Sequence, residues 1–451
     1  MSDTIAAIAT GAQIAAIGII RLSGPESINI IDKLFFPARG GLMSQSEDRK
    51  LVYGRLCTQD GELLDICLCT VSRAPNSYTG ENTAELQCHG SPVVLRTALE
   101  QIFALGARQA GPGEFTKRAF LNGRLELSAA EAVADIIDAE SIEAARNAAG
   151  QLSGAVGRRI QGVYSLFTDI SSHYHAVLDY PDEDIEDFRM AAYIEDMTKA
   201  RGELSALLST FSRGKLINGG IPAAIVGKPN AGKSSLLNAL LGYERAIVTD
   251  IPGTTRDTIE EKLRLGAVTL RLTDTAGIHD TEDTVERMGV ERSRQAMENA
   301  MLLIVVIDGS REPDEEDMAL VRQAEQSEKA VLVISKNDLD TAFTLVSTLP
   351  VVSVSAVTGD GLDELERVIN QLFPLPQVPA GEILTNARQA EAVGRALEHL
   401  DAALSAMEYG MTPDIVLTEA EGVMQALGEL TGRSIREDVT NRIFQRFCVG
   451  K

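Results

Sequence analysis

The stretch at residues 227–234 reads G-K-P-N-A-G-K-S and fits the pattern G-x-x-x-x-G-K-[ST]. An apolar, strand-like run (223–226) precedes it and a helix-like run (235–240) follows it, which is the context that the pattern needs. Glycines let backbone N–H groups turn toward phosphate oxygens, and the helix N-terminus adds positive potential. We expect Lys233 to reach the β- and γ-phosphates and the Ser234 hydroxyl to bind Mg²⁺. The context argues against the alternative, a chance glycine-rich turn.

Two further motifs extend the phosphate side of such a site. The sequence D-T-A-G at 274–277 follows an apolar run and fits D-x-x-G at the end of a strand. We expect Asp274 to hold the Mg²⁺ through water and the Gly277 amide to face the γ-phosphate. Thr254 and Thr255, between the phosphate loop and Asp274, supply the threonine of a first switch segment.

The base is indicated by two loops that follow later strands. The sequence S-K-N-D, which begins at Ser335, occupies the position of the guanine-reading element [NT]-K-x-D. There the Asp338 carboxylate can accept from the guanine N1–H and 2-amino groups, and the stem of Lys336 lies on the ring. Ser355 and Ala356 match the last base-contacting loop. Ser335 stands where Asn or Thr is usual, so we expect fewer bonds to the loops beneath the base. Five motifs in this order predict a GTPase.

The composition limits the class of protein. A length of 451 residues suggests about three domains. The net charge of −23 disfavours non-specific nucleic-acid binding by the whole surface, although a local basic patch around Lys117, Arg118 and Arg124 stays possible. Five cysteines without a paired framework fit a reducing cytoplasm. There is no run of 18 apolar residues, so we expect no membrane span, and we expect no signal peptide.

The residue pattern along the chain indicates different secondary structures in turn. Short strand-like runs come first and a helix-rich stretch follows. A helical pattern returns after the nucleotide-binding segment and a proline-rich joint at 374–379. Helices on both sides of that segment predict an α/β phosphate-loop GTPase domain inserted in an all-α helical domain, beside an N-terminal α+β domain. The predicted divisions are 1–118 (N-terminal domain), 119–215 and 379–451 (the two parts of the helical domain) and 216–378 (GTPase domain).

Two local patterns in the first half have simple structural interpretations. Ser128 and Glu131 fit a capping box that opens a helix. Cys67 and Cys69 lie two apart on a predicted strand and therefore share a face, which favours packing over a metal site.

The hydrolytic step needs a group to position water. In Ras-like proteins a Gln follows the D-x-x-G element, but here that residue is Ile278, which cannot orient water. Glu286, twelve residues after Asp274, could align the water, although from spacing alone an exposed helical Glu is the simpler interpretation. A missing arginine finger must also be replaced by a partner or a bound cation. Asn230 is a candidate oxygen ligand for a monovalent ion, together with backbone carbonyls of the first switch.

The chain resembles the MnmE (TrmE) family of tRNA modification GTPases over essentially its full length. The resemblance is carried by D-T-I-A-A-I-A-T at 3–10, G-I-I-R-L-S-G at 18–24, N-S-Y-T-G-E at 76–81, E-L-Q-C-H-G at 85–90, P-G-E-F-T at 112–116, D-I-P-G-T-T-R-D at 250–257 and F-C-V-G-K at 447–451. The terminal C-x-G-K is unusual and, joined to a phosphate loop, highly specific.

The resemblance implies a cytoplasmic enzyme that acts on tRNA with an FAD-containing partner, MnmG (GidA), in a heterotetramer. It implies formation of a 5-carboxymethylaminomethyl or aminomethyl group on the wobble uridine of certain tRNAs. The carbon would come from 5-formyltetrahydrofolate or methylenetetrahydrofolate, bound by the N-terminal domain, which also forms the homodimer. GTPase domains of the family dimerise across K⁺, so no arginine finger is needed.

The resemblance also implies roles for individual residues. The K⁺ ligands would be Asn230, Thr249, Ile251 and Thr254, and the Mg²⁺ ligands Ser234 and Thr255. Glu286 matches the family's water-orienting glutamate, Arg256 and Asp257 match an organising pair of the first switch, and Cys448 matches a cysteine needed for tRNA modification. The predicted GTP-binding residues are Asn230, Ala231, Gly232, Lys233, Ser234, Ser235, Thr249, Thr254, Thr255, Asp274, Thr275, Ala276, Gly277, Ser335, Lys336, Asp338, Ser355 and Ala356.

The folate-binding residues that the resemblance implies are Arg21, Glu85, Arg124 and Lys451. Without the family, a strand-end surface residue would be the simpler interpretation of Arg21, and a cross-strand ion pair that of Glu85. Two positions depart from the family: Arg124 stands where Lys is usual, which changes the geometry of its donors, and Gln13 stands where Gly is usual.

Two other functional classes are open to the sequence. One is a binding-type GTPase such as a ribosome-assembly switch, which the acidic composition disfavours. The other is a folate-dependent one-carbon transferase in which the GTPase is an accessory.

Overall fold

A computed structural model describes residues 3–11, 13–179, 190–243, 261–266, 268–272, 297, 300–339, 343, 345–374, 379, 381–433, 440, 443–445 and 447–450. These residues form two compact units. The first comprises Met1–Asp138, Ala148–Ser205 and Glu391–Lys451, and the second comprises Ala139–Asn147 and Ala206–Ala390. The second unit is thus inserted in the chain of the first, as expected for a GTPase domain inserted in a helical domain.

The first unit is built on a mixed sheet with the strand order β3-β4-β5-β6-β2-β1-β7. Its strands are β1 (Ile5–Ile8), β2 (Ala15–Ser23), β3 (Phe35–Pro37), β4 (Val52–Cys57), β5 (Leu63–Ser72), β6 (Thr83–Gly90) and β7 (Arg108–Gln109). Neighbouring strands are antiparallel except for β1 and β7. Alternating burial along β5 and β6 places one face in the core and leaves the other half-exposed, as the period of a strand requires.

The second unit contains a sheet with the order β13-β12-β11-β8-β10-β9. Its strands are β8 (Ile221–Val226), β9 (Glu261–Leu265), β10 (Val268–Leu272), β11 (Leu302–Asp308), β12 (Ala330–Ser335) and β13 (Val351–Ser353). The central strands β11 and β12 are buried at every residue, which explains their continuous apolar sequences. The pairs β10–β8, β8–β11, β11–β12 and β12–β13 are parallel.

Helices make up most of the remaining described chain. They are α1 (Ser27–Leu34), α2 (Pro92–Ala104), α3 (Glu114–Leu121), α4 (Leu127–Ile137), α5 (Ile142–Leu152), α6 (Ala155–Asp179), α7 (Ile194–Ser209), α8 (Phe211–Gly219), α9 (Lys233–Tyr243), α10 (Glu315–Ala324), α11 (Leu362–Leu372), α12 (Ala387–Glu408) and α13 (Pro413–Thr431). Among these helices, none has the length and apolarity that a membrane crossing would need.

The predicted capping box at Ser128 is wrong. Helix α4 begins at Leu127 with Glu126 as its N-cap, and no side chain caps it. Ser128 therefore lies inside the first turn, where its hydroxyl is buried without a hydrogen-bond partner. The predicted N-cap lies two residues after the observed one, Glu126.

Candidate functional site

Four parallel strands of the second unit end at the same edge of their sheet. The register of β8, β11, β12 and β13 runs in one direction, so their carboxyl ends lie side by side. In open α/β sheets this edge is where ligands bind. The phosphate loop follows β8, the S-K-N-D loop follows β12, and the Ser355 loop follows β13. The fold thus brings the separate motifs together.

The phosphate loop is shaped for close approach of a ligand to its backbone. A Cβ atom added to Gly227 would lie 2.4 Å from the Val306 carbonyl oxygen on β11, so a side chain cannot fit there. Asn230 has φ 62°, a left-handed conformation that Asn adopts more readily than most residues. Helix α9 begins within this motif, at Lys233, so the positive end of the helix dipole lies at the site.

Lys233 is held within the loop itself. Its Nζ atom donates to the carbonyls of Gly227 (2.9 Å) and Lys228 (2.8 Å). Burial lowers the pKa of Lys233 below its ordinary value. The ammonium group is therefore shielded from water, and an anionic phosphate would be a stronger partner for it than the two neutral carbonyls. Ser234 and Ser235 follow in the first turn of α9.

Ser335 connects the base loop to the phosphate loop. Its side chain is buried, and its Oγ atom lies 2.6 Å from the Ala231 carbonyl oxygen and 3.1 Å from that of Ile307. A Cβ atom on Gly232 would approach this hydroxyl to 3.3 Å, so the two loops touch. The shorter Ser side chain therefore still reaches the loop beneath the base.

Asp308 is a site residue that the sequence motifs missed. It ends β11, and its Oδ2 atom accepts from Lys336 Nζ at 2.6 Å. Its Oδ1 atom accepts from the backbone N–H and hydroxyl of Ser310. Burial opposes ionisation of Asp308, but the hydrogen bonds from Lys336 and Ser310 prevail and hold its pKa below the ordinary value. The signal available in the sequence was an Asp that ends an otherwise apolar strand.

Asp338 is oriented by the next loop. The Ser355 hydroxyl donates to Asp338 Oδ1 at 2.6 Å, and the Asn337 amide donates to the Val354 carbonyl at 3.2 Å. Ser355 is fully buried and Ala356 beside it is half-buried. One carboxylate oxygen is thereby held by the protein, which fixes the orientation of the carboxylate that the motif assigns to the base.

Several predicted site residues lie outside the described residues. For the GTP and cation sites these are Thr249, Ile251, Thr254, Thr255, Asp274, Thr275, Ala276 and Gly277, and for catalysis Arg256, Asp257 and Glu286. Ile278 and the folate candidate Lys451 are also outside them.

A second cluster of predicted residues lies in the first unit. Arg21 on β2 faces Glu85 on β6 in direct cross-strand register, and Arg21 Nε donates to Glu85 Oε1 at 2.7 Å. Both side chains are about a quarter exposed. The Arg21 guanidinium carbon lies 5.8 Å from the ring centres of Tyr78 and Phe115. A paired carboxylate and guanidinium beside aromatic rings fit a flat, polar heteroaromatic ligand.

The carboxyl-terminal segment reaches this cluster. Val449 forms a β-bridge with Pro112, and the Gly113 amide donates to the Cys448 carbonyl at 3.2 Å. The Gly450 carbonyl lies 3.5 Å from Arg21 Nη1. The Cys448 side chain is exposed, unlike the four other cysteines, which are buried. Cys448, Val449 and Gly450 of the C-x-G-K motif therefore lie beside the Arg21–Glu85 pair.

Arg124 and its neighbours differ from the basic patch that the sequence left open. Arg118 is buried and bonded to the carboxylates of Asp3, Glu81 and Glu114, so its charge is neutralised. Arg124 is exposed, and its side-chain stem packs within 3.3 Å of where a Gly80 Cβ would lie. Arg118 therefore belongs to an internal ion network and adds no free positive charge to a patch with Lys117 and Arg124.

The fold and the site define a class of protein: a phosphate-loop GTPase domain carried by a helical domain, with a separate N-terminal domain. Comparison with known proteins extends this. The model of the MnmE helical domain matches residues 127–448, and that of the GTP-binding protein TrmE N-terminus matches residues 4–124. The chain belongs to the MnmE family of tRNA modification GTPases.

Full-length relatives agree with this assignment. A tRNA modification GTPase MnmE from Alkaliphilus oremlandii is 39% identical over 100% of both chains. Another from Symbiobacterium thermophilum is 41% identical over 100% of this chain and 99% of that protein. Among solved structures, the G domain of the T. maritima FeoB iron transporter is 28% identical, with a TM-score of 0.26, over 34% of this chain and 98% of that one.

Proposed function

We propose that this GTPase acts with an FAD-containing partner, MnmG (GidA), to form the 5-carboxymethylaminomethyl or aminomethyl group on the wobble uridine of certain tRNAs. A tetrahydrofolate, as its 5-formyl or methylene form, would supply the one-carbon unit. One observation carries the proposal: Cys448, Val449 and Gly450 of the carboxyl-terminal motif lie beside Arg21 and Glu85, although more than 350 residues separate them in the chain.

The chain's own residues would bind the folate through complementary charge. The Glu85 carboxylate can accept from ring amino groups, while Arg21 holds that carboxylate in place at 2.7 Å. Tyr78, whose hydroxyl lies 2.8 Å from Thr116 Oγ1, offers a fixed aromatic wall. Arg124 and Lys451 would meet the acidic tail of the ligand. Cys448 would be the accessible thiol beside this cluster, since the other four cysteines are buried.

The GTPase site would use two cations. Ser234 and Thr255 would hold Mg²⁺, and Asn230, Thr249, Ile251 and Thr254 would hold K⁺. When bound, K⁺ would supply the positive charge that an arginine finger gives in other GTPases. Glu286 would hold the attacking water in line, with Arg256 and Asp257 ordering the first switch.

We further propose a homodimer formed by the N-terminal domain, in the cytoplasm. Ile14, Ile17 and Val93 support it, since they are 87%, 58% and 73% exposed. Ile14 and Ile17 lie at or near the start of β2, and Val93 lies at the start of α2. The two starts are neighbours, because β6 pairs with β2 and then connects directly to α2. Exposed apolar side chains at one end of a domain mark an interaction surface. The proposed domains are the N-terminal domain at 1–118, the helical domain at 119–215 and 379–451, and the GTPase domain at 216–378.

Analysis of tRNA tests the function. In cells that lack this protein, mass spectrometry of tRNA should show loss of the C5 group from the wobble uridine. The wild-type gene should restore it, and Arg21→Ala should not. Arg55→Ala is the matched control, since Arg55 is an exposed strand arginine of the same sheet and should complement fully. Unchanged wobble uridine in the deletion strain would refute the proposal and favour a ribosome-assembly switch.

Salt dependence tests the hydrolytic mechanism. GTP turnover should rise steeply in K⁺ over Na⁺ at equal ionic strength, and equal rates would exclude the K⁺ site. Glu286→Ala should reduce turnover while nucleotide affinity stays nearly intact. A large loss of affinity would instead give Glu286 a binding role.

A further inference from the structure

Three potential metal ligands lie close together in the N-terminal sheet. Asp65 and Cys67 lie on β5 and Cys88 lies on β6. Their ligand atoms, one carboxylate oxygen and two sulfurs, all lie within 4.8 Å of one another. Cys67 and Cys88 are 5% and 2% exposed, and the Asp65 side chain is 10% exposed. The cluster is thus built into the sheet and does not lie on its surface.

The strand register explains why these three side chains lie close together. The antiparallel pairing of β5 with β6 matches Leu68 with Gln87, so Cys67 and Cys88 come next to each other one step further along. Both point to the core face, as the burial pattern of the two strands shows. Asp65 shares that face because it lies two residues before Cys67.

His89 orients the carboxylate of this cluster. Its Nδ1 atom lies 2.8 Å from Asp65 Oδ1, and its backbone N–H donates to Asp65 Oδ2 at 2.8 Å. The Ile66 amide also donates to Oδ1 at 2.8 Å. A carboxylate fixed through both oxygens, with a histidine as its partner, is the supporting arrangement found around metal ligands.

The ligand set selects the kind of ion. Two sulfurs with one carboxylate oxygen suit Zn²⁺, whereas Mg²⁺ takes oxygen ligands only. With Zn–S bonds of about 2.3 Å, two sulfurs on a tetrahedral ion lie about 3.8 Å apart, so small side-chain rotations would close the site. We propose that Asp65, Cys67 and Cys88 bind one Zn²⁺ ion, with His89 holding Asp65 in place and water in the fourth position.

A thiol–disulfide pair is the competing interpretation, and the surroundings disfavour it. Cys67 and Cys88 are both buried, and the Asp65 carboxylate lies beside them. Disulfide exchange needs a thiolate at an accessible, electropositive place. A carboxylate next to two buried thiols is the opposite environment, and a divalent cation is what would stabilise all three groups together.

Cobalt substitution of the full-length protein tests the site. The reduced, metal-free chain should bind one Co²⁺ with a thiolate-to-cobalt charge-transfer band, which Zn²⁺ should then bleach. The Mg²⁺ site of the GTPase domain has no sulfur and cannot give this band. Cys67→Ser, Cys88→Ser and Asp65→Asn should each abolish or strongly weaken the signal. His89→Ala should keep the band but weaken affinity by about 10–100-fold, because it removes only a supporting group.

Cys69→Ser is the matched control. Cys69 lies on the same strand and face, is fully buried, and is not part of the cluster, so this variant should bind Co²⁺ like the wild type. Its folding also reports whether a buried cysteine in β5 tolerates the exchange. Absence of the charge-transfer band in the folded wild type would overturn the proposal. So would a band that Cys67→Ser and Cys88→Ser, shown by circular dichroism to be folded, leave unchanged.

Discussion

Asp308 offers the sharpest test of how the nucleotide site is held together. Its Oδ2 atom accepts from Lys336 Nζ at 2.6 Å, and Lys336 itself has φ 60°, in the left-handed region that residues with a Cβ rarely adopt. The ion pair therefore holds a strained residue whose stem is expected to cover the guanine ring. Asp308→Asn keeps the size of the side chain and its acceptor for Ser310, but places a neutral amide opposite the ammonium group.

The size of the effect follows from the exposure of the two partners. A hydrogen bond to a charged group contributes about 1.5–3 kcal/mol when its partner is buried. The Asp308 side chain is 11% exposed, but that of Lys336 is 36% exposed and can regain water, so we reduce the estimate to about 1–2 kcal/mol. This corresponds to a loss of guanine-nucleotide affinity of about 5–30-fold.

Titration with a fluorescent GDP analogue measures this loss directly. The matched control is Glu316→Gln, which breaks a 2.7 Å ion pair with Lys228 at the same edge of the sheet. Glu316 is 78% exposed, so that pair should contribute no more than about 1 kcal/mol and affinity should barely change. Equal affinities for Asp308→Asn and the wild type would refute the role of Asp308. Equal losses in both variants would show that net charge, rather than the position of Lys336, is responsible.

Two further predictions concern stability. In a denaturant titration, Gly227→Ala should destabilise the GTPase domain by about 1–3 kcal/mol, because its Cβ atom would lie 2.4 Å from the Val306 carbonyl oxygen. This variant should also lose GTP binding. Gly242→Ala, whose Cβ atom would lie in open space on α9, should be neutral or stabilising in the same titration. Burial opposes ionisation of Glu114, but hydrogen bonds from Arg108, the Gly111 amide and Arg118 hold its pKa at about 2. The ionised Glu114 carboxylate stabilises the fold fully above its unfolded pKa near 4.5, and this stabilisation, at most about 3 kcal/mol, is lost as pH falls toward 2. Glu114→Gln should therefore flatten the dependence of the free energy of unfolding in urea on pH across that window. Parallel curves for the variant and the wild type would contradict this.

The sequence predicted the elements that local patterns control. Apolar runs before the phosphate loop and before Ser335 became β8 and β12, and the loops that follow them carry the expected motifs. Spacing alone sufficed there, because parallel strands put their carboxyl ends at one edge of the sheet. Asp308 was missed because its importance arises only through Lys336, 28 residues later.

Side-chain environments created by distant segments could not be predicted in this way. Arg118 looked like part of a basic patch, but Asp3 and Glu81, 115 and 37 residues away, neutralise it. Cys67 and Cys69 pack in the core as predicted, but the sequence did not show that strand pairing also brings Cys88 beside Cys67. In both examples the residue type is clear from the sequence, and segments distant in the chain determine its contacts.

Ser335 shows how a departure from a motif can be understood from the structure. A hydroxyl has one proton, so Oγ can donate to only one of its two acceptors, and the shorter distance favours Ala231 (2.6 Å) over Ile307 (3.1 Å). The bond that survives is therefore the one between the base loop and the phosphate loop. Because Gly232 leaves no room between the loops, the two halves of the nucleotide site form one packed unit. Guanine recognition and phosphate binding should then weaken together in Ser335→Ala, which removes the only proton that joins Ser335 to the phosphate loop.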